Sequence, residues 1–265
     1  MRLKSDDAEI YYEVLGDGPP VVLLHPFPAH HGVWMPAADL LSARYRVVLP
    51  DLRGHGESTP GNGPATMEKH AADMARLCDE LAIGRAVFAG VSIGGYILFE
   101  FWRRFRQRVH AMVLCDSRAS ADTDEARVNR LKAADDAEQS GPIPFIDSMM
   151  PKLLGETTRT NRPDLVDSAR KMMLKTSVAG IAAVQRGMAA RPDSTSTLAS
   201  INVPTLILVG AEDGLTPVAD ADAMQKGIAG SRLEVIPRGG HYAVFEQHEL
   251  AGKLVRSLLD HLRPW

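Results

Sequence analysis

The stretch Ala89-Gly90-Val91-Ser92-Ile93-Gly94-Gly95-Tyr96 decides how this chain is read. Ala86-Val87-Phe88 before it is a short apolar run of the kind that fills a buried strand. Ile97 to Arg104 after it reads as a helix. Gly90-Val91-Ser92-Ile93-Gly94 therefore matches G-x-S-x-G in the strand-to-helix context that gives those five letters meaning. A turn this tight holds its serine in a strained backbone conformation and lifts Oγ above the sheet. Glycines at 90, 94 and 95 supply room where strand and helix nearly touch. A serine serving only as a helix N-cap would need no glycine on both sides.

Working outward, strand and helix signals alternate. Ile10–Leu15, Val21–Leu24, Arg46–Leu49, Ala86–Ala89, Ala111–Cys115, Thr205–Val209 and Leu233–Ile236 are short β-branched or apolar runs. Met67 to Leu81 puts Met67, Ala71, Met74, Leu77, Cys78 and Leu81 on one helical face, and a last helix is expected from about Glu246 to Leu262. Strands that alternate with helices argue for a mostly parallel sheet covered on both faces. From about Ala119 to Ser196 the strand signal vanishes, and helices are expected at 122–139, 144–154, 163–176 and 178–190. Such a block reads as a helical cap, residues 119–196, on a core made of 1–118 and 197–265. It carries Met149, Met150, Met172, Met173 and Met188. Methionine adapts to irregular apolar volume, so a substrate pocket lined by Met149, Met150, Met172 and Met173 stands beside ordinary helix packing. Trp34 could line the same pocket or fill the core.

A serine hydroxyl is a weak nucleophile without a base. His241, in Gly239-Gly240-His241-Tyr242 after the last strand, offers one. Asp213, in Val209-Gly210-Ala211-Glu212-Asp213 after the preceding strand, offers an acid to orient it, with Pro217 four residues on. Glu212 and Asp116, at the end of the Ala111–Cys115 strand, compete for the acid's place. The order Ser92, Asp213, His241 is that of one particular hydrolase architecture.

On these residues, with His25-Pro26-Phe27-Pro28 and Asp51-Leu52-Arg53-Gly54-His55-Gly56-Glu57-Ser58, the chain resembles the α/β-hydrolase superfamily over essentially its whole length. It looks most like small bacterial carboxylesterases and the enol-lactonase and non-metal haloperoxidase relatives. The resemblance implies an eight-stranded, mostly parallel sheet flanked by helices, with the cap inserted after the sixth strand. It implies oxyanion donors at the backbone N–H of Phe27 and of Ile93. Proline at 26, where His-Gly is commoner, removes an N–H but leaves that of Phe27. The implied reaction is acyl transfer through an acyl-enzyme, on a small ester. Enol-lactone hydrolysis and perhydrolysis use the same triad, and a non-catalytic receptor for a small ligand can keep it too. A cationic pocket group among Arg118, Arg127, Arg130 and Arg186 would favour an anionic lactone. Relatives that open haloalkanes or epoxides carry an aspartate where this chain has Ser92.

Bulk properties agree. The chain has 265 residues, 45% hydrophobic and 24% charged, with a net charge of −3, so no strong field draws nucleic acid or an anionic membrane. Cys78 and Cys115 form no framework, no secretory signal is visible, and the cytoplasm is the expected location. The expected partner is a small ester or lactone. No cofactor is implied and no metal site is expected, although His25, His30 and His31 cluster early.

Overall fold

A computed structural model describes residues 1–262. Eight strands, β1 (Arg2–Ser5), β2 (Ala8–Leu15), β3 (Pro20–Leu24), β4 (Arg46–Pro50), β5 (Ala86–Val91), β6 (Val109–Cys115), β7 (Thr205–Gly210) and β8 (Arg232–Ile236), form one sheet in the order β1-β2-β4-β3-β5-β6-β7-β8. β2 runs antiparallel to β1 and β4, and the other pairings are parallel. This is the mostly parallel, eight-stranded architecture expected. β1 had no signal of its own, since Arg2-Leu3-Lys4-Ser5 is largely polar and pairs only along one edge.

The helices are α1 (Met35–Leu41), α2 (Met67–Glu80), α3 (Ile93–Phe105), α4 (Asp124–Ser140), α5 (Pro142–Leu153), α6 (Glu156–Asn161), α7 (Pro163–Met173), α8 (Val178–Ala189), α9 (Val218–Gly227), α10 (Ala243–Glu246) and α11 (His248–His261). α4 to α8 lie between β6 and β7. Their boundaries follow local chemistry. The hydroxyls of Thr123 and Ser177 cap α4 and α8. Prolines 142 and 163 open α5 and α7, where a missing N–H costs nothing. α6 is polar and six residues long, so periodicity did not announce it. The C-terminal helix is broken: Gln247, with φ −123° and ψ 44°, separates α10 from α11.

Alternation along the strands divides the core in two. Val22, Leu24, Phe88 and Met112 face one side, with α2, α3 and α8. Val21, Leu23, Val87, Ala89 and Val113 face the other, with α1, α5, α7 and α11. Arg53 is buried beneath the first layer. Its Nε and Nη2 donate to Asp73 at 2.8 and 2.7 Å, and its Nη1 donates to Asp7 at 2.8 Å. Cys78 and Cys115 are free and buried. Among the described residues no helix is long and apolar enough to cross a membrane.

His25, His55 and His70 are all fully buried. Neither ring nitrogen of His70 has a hydrogen-bond partner among the described residues. Burial, then the nearby His55 and Arg53, holds its pKa well below 6.5. The folded chain binds fewer protons at this site than the unfolded chain, so stability is lost as the pH falls below the unfolded value. His70→Leu should therefore gain melting temperature relative to the wild type between about pH 7.5 and about pH 5. Thermal scans across that range check this; a difference that does not change with pH contradicts it.

Candidate active site

Ser92 joins β5 to α3 with φ 54° and ψ −112°, a conformation L-residues rarely adopt. The neighbours hold it there. Ser92 N–H donates to the Cys115 carbonyl at 2.9 Å, and Ser117 Oγ donates to the Ser92 carbonyl at 2.9 Å. Glycine is required on both sides by close approach. A Cβ on Gly90 would overlap the Gly94 backbone, and one on Gly94 would meet the Leu24 carbonyl at 2.9 Å.

His241 sits in the loop between β8 and α10. Its Nε2 lies 2.8 Å from Ser92 Oγ and its Nδ1 lies 2.9 Å from Asp213 Oδ2. All three residues are buried. Asp213 Oδ1 accepts the N–H groups of Leu215 and Thr216 at 2.8 and 3.0 Å, and Oδ2 accepts the Thr216 hydroxyl at 2.6 Å. Burial pushes the Asp213 carboxyl up, but the His241 charge and these hydrogen bonds outweigh it and leave the pKa below its ordinary value. Asp213 is thus ionised and aimed. Thr216 escaped the sequence reading, although a hydroxyl three residues after an aspartate at a strand end is the available signal. Asp116 does not reach His241. Its Oδ1 accepts from Gly210 N–H at 2.7 Å, and burial followed by repulsion from Asp213 pushes its carboxyl well up. Glu212 turns away toward Thr157.

The Phe27 loop is held from three directions. His25 Nε2 accepts Leu52 N–H at 2.9 Å while Nδ1 donates to the Pro26 carbonyl at 2.9 Å. Tyr242 Oη donates to the Phe27 carbonyl at 3.0 Å, and the His55 ring stands edge-on to Phe27 at 5.6 Å. Ile93 opens α3, so its N–H belongs to the first turn, which has no partner within its own helix.

Ser92 and His241 open into a cavity of about 670 Å³, walled by Phe27, Tyr96 of α3, Leu215 and Thr216 and by α4, α5 and α8. Met149 lines it, as does Met188. Trp34, Met150, Met172 and Met173, expected at the pocket, lie elsewhere. They pack in the core layer under α1, α5 and α7, and Trp34 Nε1 donates to the Leu24 carbonyl at 2.9 Å. Apolar composition marked them for burial, and sequence carried no signal for which face. The cavity is more polar than expected. Arg118, Asn129, Arg130, Lys152 and Gln185 line it together with the carboxylates Asp122 and Asp136, whereas Arg127 and Arg186 do not. Arg186 is taken up by Glu138 and Asp135. Away from the cavity, His30, His31 and Asp51 bring three potential ligand atoms within 4.8 Å of one another. The Asp51 carboxylate and one ring nitrogen of each histidine are hydrogen-bonded. Asp51 Oδ1 accepts from His31 N–H and Nδ1, Oδ2 accepts Glu57 N–H, and His30 Nδ1 accepts Gly32 N–H.

The contact at Gly90 is backbone against backbone and cannot relax locally. Gly90→Ala should therefore destabilise the chain by about 1–3 kcal/mol, read as a lower urea midpoint. A midpoint equal to that of the wild type would refute the close approach.

Comparison with known proteins agrees with this fold. The profile described as alpha/beta hydrolase fold matches residues 19–247. The chain is 29% identical over 235 residues to 3-oxoadipate enol-lactonase 1 of Acinetobacter baylyi, covering 88% of this chain and 85% of that one. Among solved structures it is similar to a thermophilic esterase from Thermogutta terrifontis with malate bound, at 39% identity and a TM-score of 0.95, covering 98% of both chains. It is also similar to the enol-lactonase from Burkholderia xenovorans, at 26% identity and a TM-score of 0.92, covering 98% of this chain and 100% of that one. With the turn at Ser92, the sheet and the matched profile in agreement, the chain belongs to the alpha/beta hydrolase fold family.

Proposed function

We propose that this chain is a serine hydrolase that cleaves carboxylic esters of small acyl groups. The observation that carries the reading is the unbroken line Ser92 Oγ, His241 Nε2, His241 Nδ1, Asp213 Oδ2, with steps of 2.8 and 2.9 Å across the two side-chain contacts. As Ser92 Oγ attacks the ester carbonyl carbon, its proton passes to His241 Nε2. Asp213 accepts from Nδ1–H, fixes the tautomer and stabilises the imidazolium. The N–H groups of Phe27 and Ile93 hold the tetrahedral oxyanion. The C–O bond to the alcohol breaks, the alkoxide takes the proton from His241, and an acyl-Ser92 remains. Water, deprotonated by His241, then releases the acid and restores Ser92. The triad supplies nucleophile and base, the backbone supplies electrostatic stabilisation, and residues 119–196 act as the cap above them. A soluble enzyme of this kind would work in the cytoplasm.

Initial rates on p-nitrophenyl esters from acetate to palmitate test this. Short chains should turn over best, Ser92→Ala should abolish turnover, and Asp213→Asn should lower kcat by about 10⁴-fold. No turnover above the Ser92→Ala background would reject the esterase reading and leave a lactonase or a binding role.

A second reading rests on charge in the cavity. Arg130 donates Nε to Asp122 and Nη1 to Gln185, which leaves Nη2 without a partner among the described residues. Lys152, also on the wall, has no ion-pair partner among the described residues. These donors suit a substrate that carries a carboxylate away from the scissile bond, as an enol-lactone of a dicarboxylic acid does. The malate found in the Thermogutta esterase supports it, being a dicarboxylate. Under this reading a dicarboxylate half-ester should be cleaved faster than its neutral diester, and Arg130→Gln should raise KM for the half-ester by about tenfold. Equal effects on both substrates would remove the anion subsite.

A further inference from the structure

We propose that Glu246 and Glu212 are positioning residues: each ties the loop carrying one member of the acid–base pair to the turn that enters α6. The proposal rests on the serine-hydrolase reading above and concerns what holds its geometry.

Glu246 is buried, and its two oxygens bond in different directions. Oε1 accepts Gly240 N–H, next to His241, at 2.8 Å. Oε2 accepts Gly155 N–H, just before α6, at 2.8 Å. The buried Thr158, in the first turn of α6, lies beside the same carboxylate and helps to hold its charge. Glu212, next to Asp213, repeats the arrangement: Oε2 accepts Thr157 N–H at 2.8 Å and Oε1 accepts the Thr157 hydroxyl at 2.5 Å. Backbone contacts complete the junction. Tyr242 N–H donates to the Leu153 carbonyl at 3.0 Å, and Glu212 N–H donates to the Gly239 carbonyl at 2.8 Å. Residues 153–158 therefore hold the acid loop and the base loop at once.

The contact is too close for ordinary side chains. A Cβ on Gly240 would overlap the Gly155 backbone, and one on Gly155 would meet Glu212 Oε2 at 2.6 Å and Gly240 N at 3.0 Å. A buried carboxylate beside other acids is costly. Burial and then Glu212 oppose the Glu246 charge, and Glu246 in turn adds to the repulsion felt by Asp116. A neutral amide would lower that cost but could not do the same work. Glutamine has one acceptor oxygen, so one of the two N–H groups would face an NH₂ donor. The carboxylate is the group that accepts from both loops.

The helical segment is thereby anchored at its α5–α6 end, beside the triad. A displacement near 1 Å of a reacting group costs about 10²-fold in rate, so loosening this anchor should act on kcat before it acts on binding.

The experiment compares wild type, Glu246→Gln and Glu212→Ala on a short-chain p-nitrophenyl ester. It records kcat, KM, melting temperature and the end-point fraction labelled at Ser92 by a fluorophosphonate. E246Q should lower kcat by at least about tenfold, with KM within about twofold of wild type and an unchanged labelled fraction. At position 212 alanine is the informative change, because a glutamine could still accept Thr157 N–H and donate to the Thr157 hydroxyl. E212A should lower kcat by at least about threefold in the same pattern. Folded E246Q with wild-type kcat overturns the proposal, as does a rate loss matched by an equal loss of labelled fraction. If E246Q does not fold, E212A decides by the same criteria. A wild type that neither turns over ester nor takes the label at Ser92 brings down the hydrolase reading and the positioning role with it. A labelled, active wild type with unaltered variants brings down the positioning role alone.

Discussion

The strained turn at Ser92 is the constraint on which the rest depends. Its φ of 54° is unfavourable for a serine. It persists because β5 lies between β3 and β6 in the middle of the sheet and α3 packs directly back upon it. The Cys115 carbonyl and the Ser117 hydroxyl fix the two peptide groups that flank the serine. Any side chain larger than hydrogen at Gly90 or Gly94 would separate strand from helix. One distorted residue is thus held in place by the most thoroughly buried part of the molecule, and the other site residues are placed relative to it.

They sit on loops that leave the ends of strands, and cross-links steady those loops. Tyr242 bonds the Phe27 carbonyl, Trp34 bonds the Leu24 carbonyl, and His25 bridges to Leu52. Each bond is buried, where an electrostatic contact is stronger and its loss more costly. Tyr242, next to His241, therefore steadies the loop that carries Phe27, and the two halves of the proposed machinery are mechanically joined.

Most of this architecture was legible because it depends on patterns of apolar residues and on glycine. The parallel strands read as continuous apolar runs because both faces are covered, and the turn read as a turn because glycine has no substitute there. Ser92, Asp213 and His241 could be picked out because each follows a strand, so the sheet itself aligns them. What stayed hidden depends on which way a side chain points. Met150, Met172 and Met173 have the same composition as Met149 and Met188, yet only the latter two reach the cavity. Arg130 and Arg186 lie on the neighbouring helices α4 and α8. Their roles differ because Glu138 and Asp135 capture one guanidinium and leave part of the other open. β1 and α6 are short and polar and exist through pairing and packing that no local window contains.

The contact between Ser92 and His241 joins residues 149 positions apart, and that between Phe27 and Tyr242 spans 215. Closing loops of this length has an entropic cost that must be met before the contacts form. Ser92 is synthesised well before His241. A nascent chain long enough to fold β1 to β6 carries Ser92 on its turn with no His241 beside it. Under the proposed hydrolase reading, competence would therefore arrive as a single late event in folding, and it would report on the docking of β7 and β8 more sharply than secondary structure does.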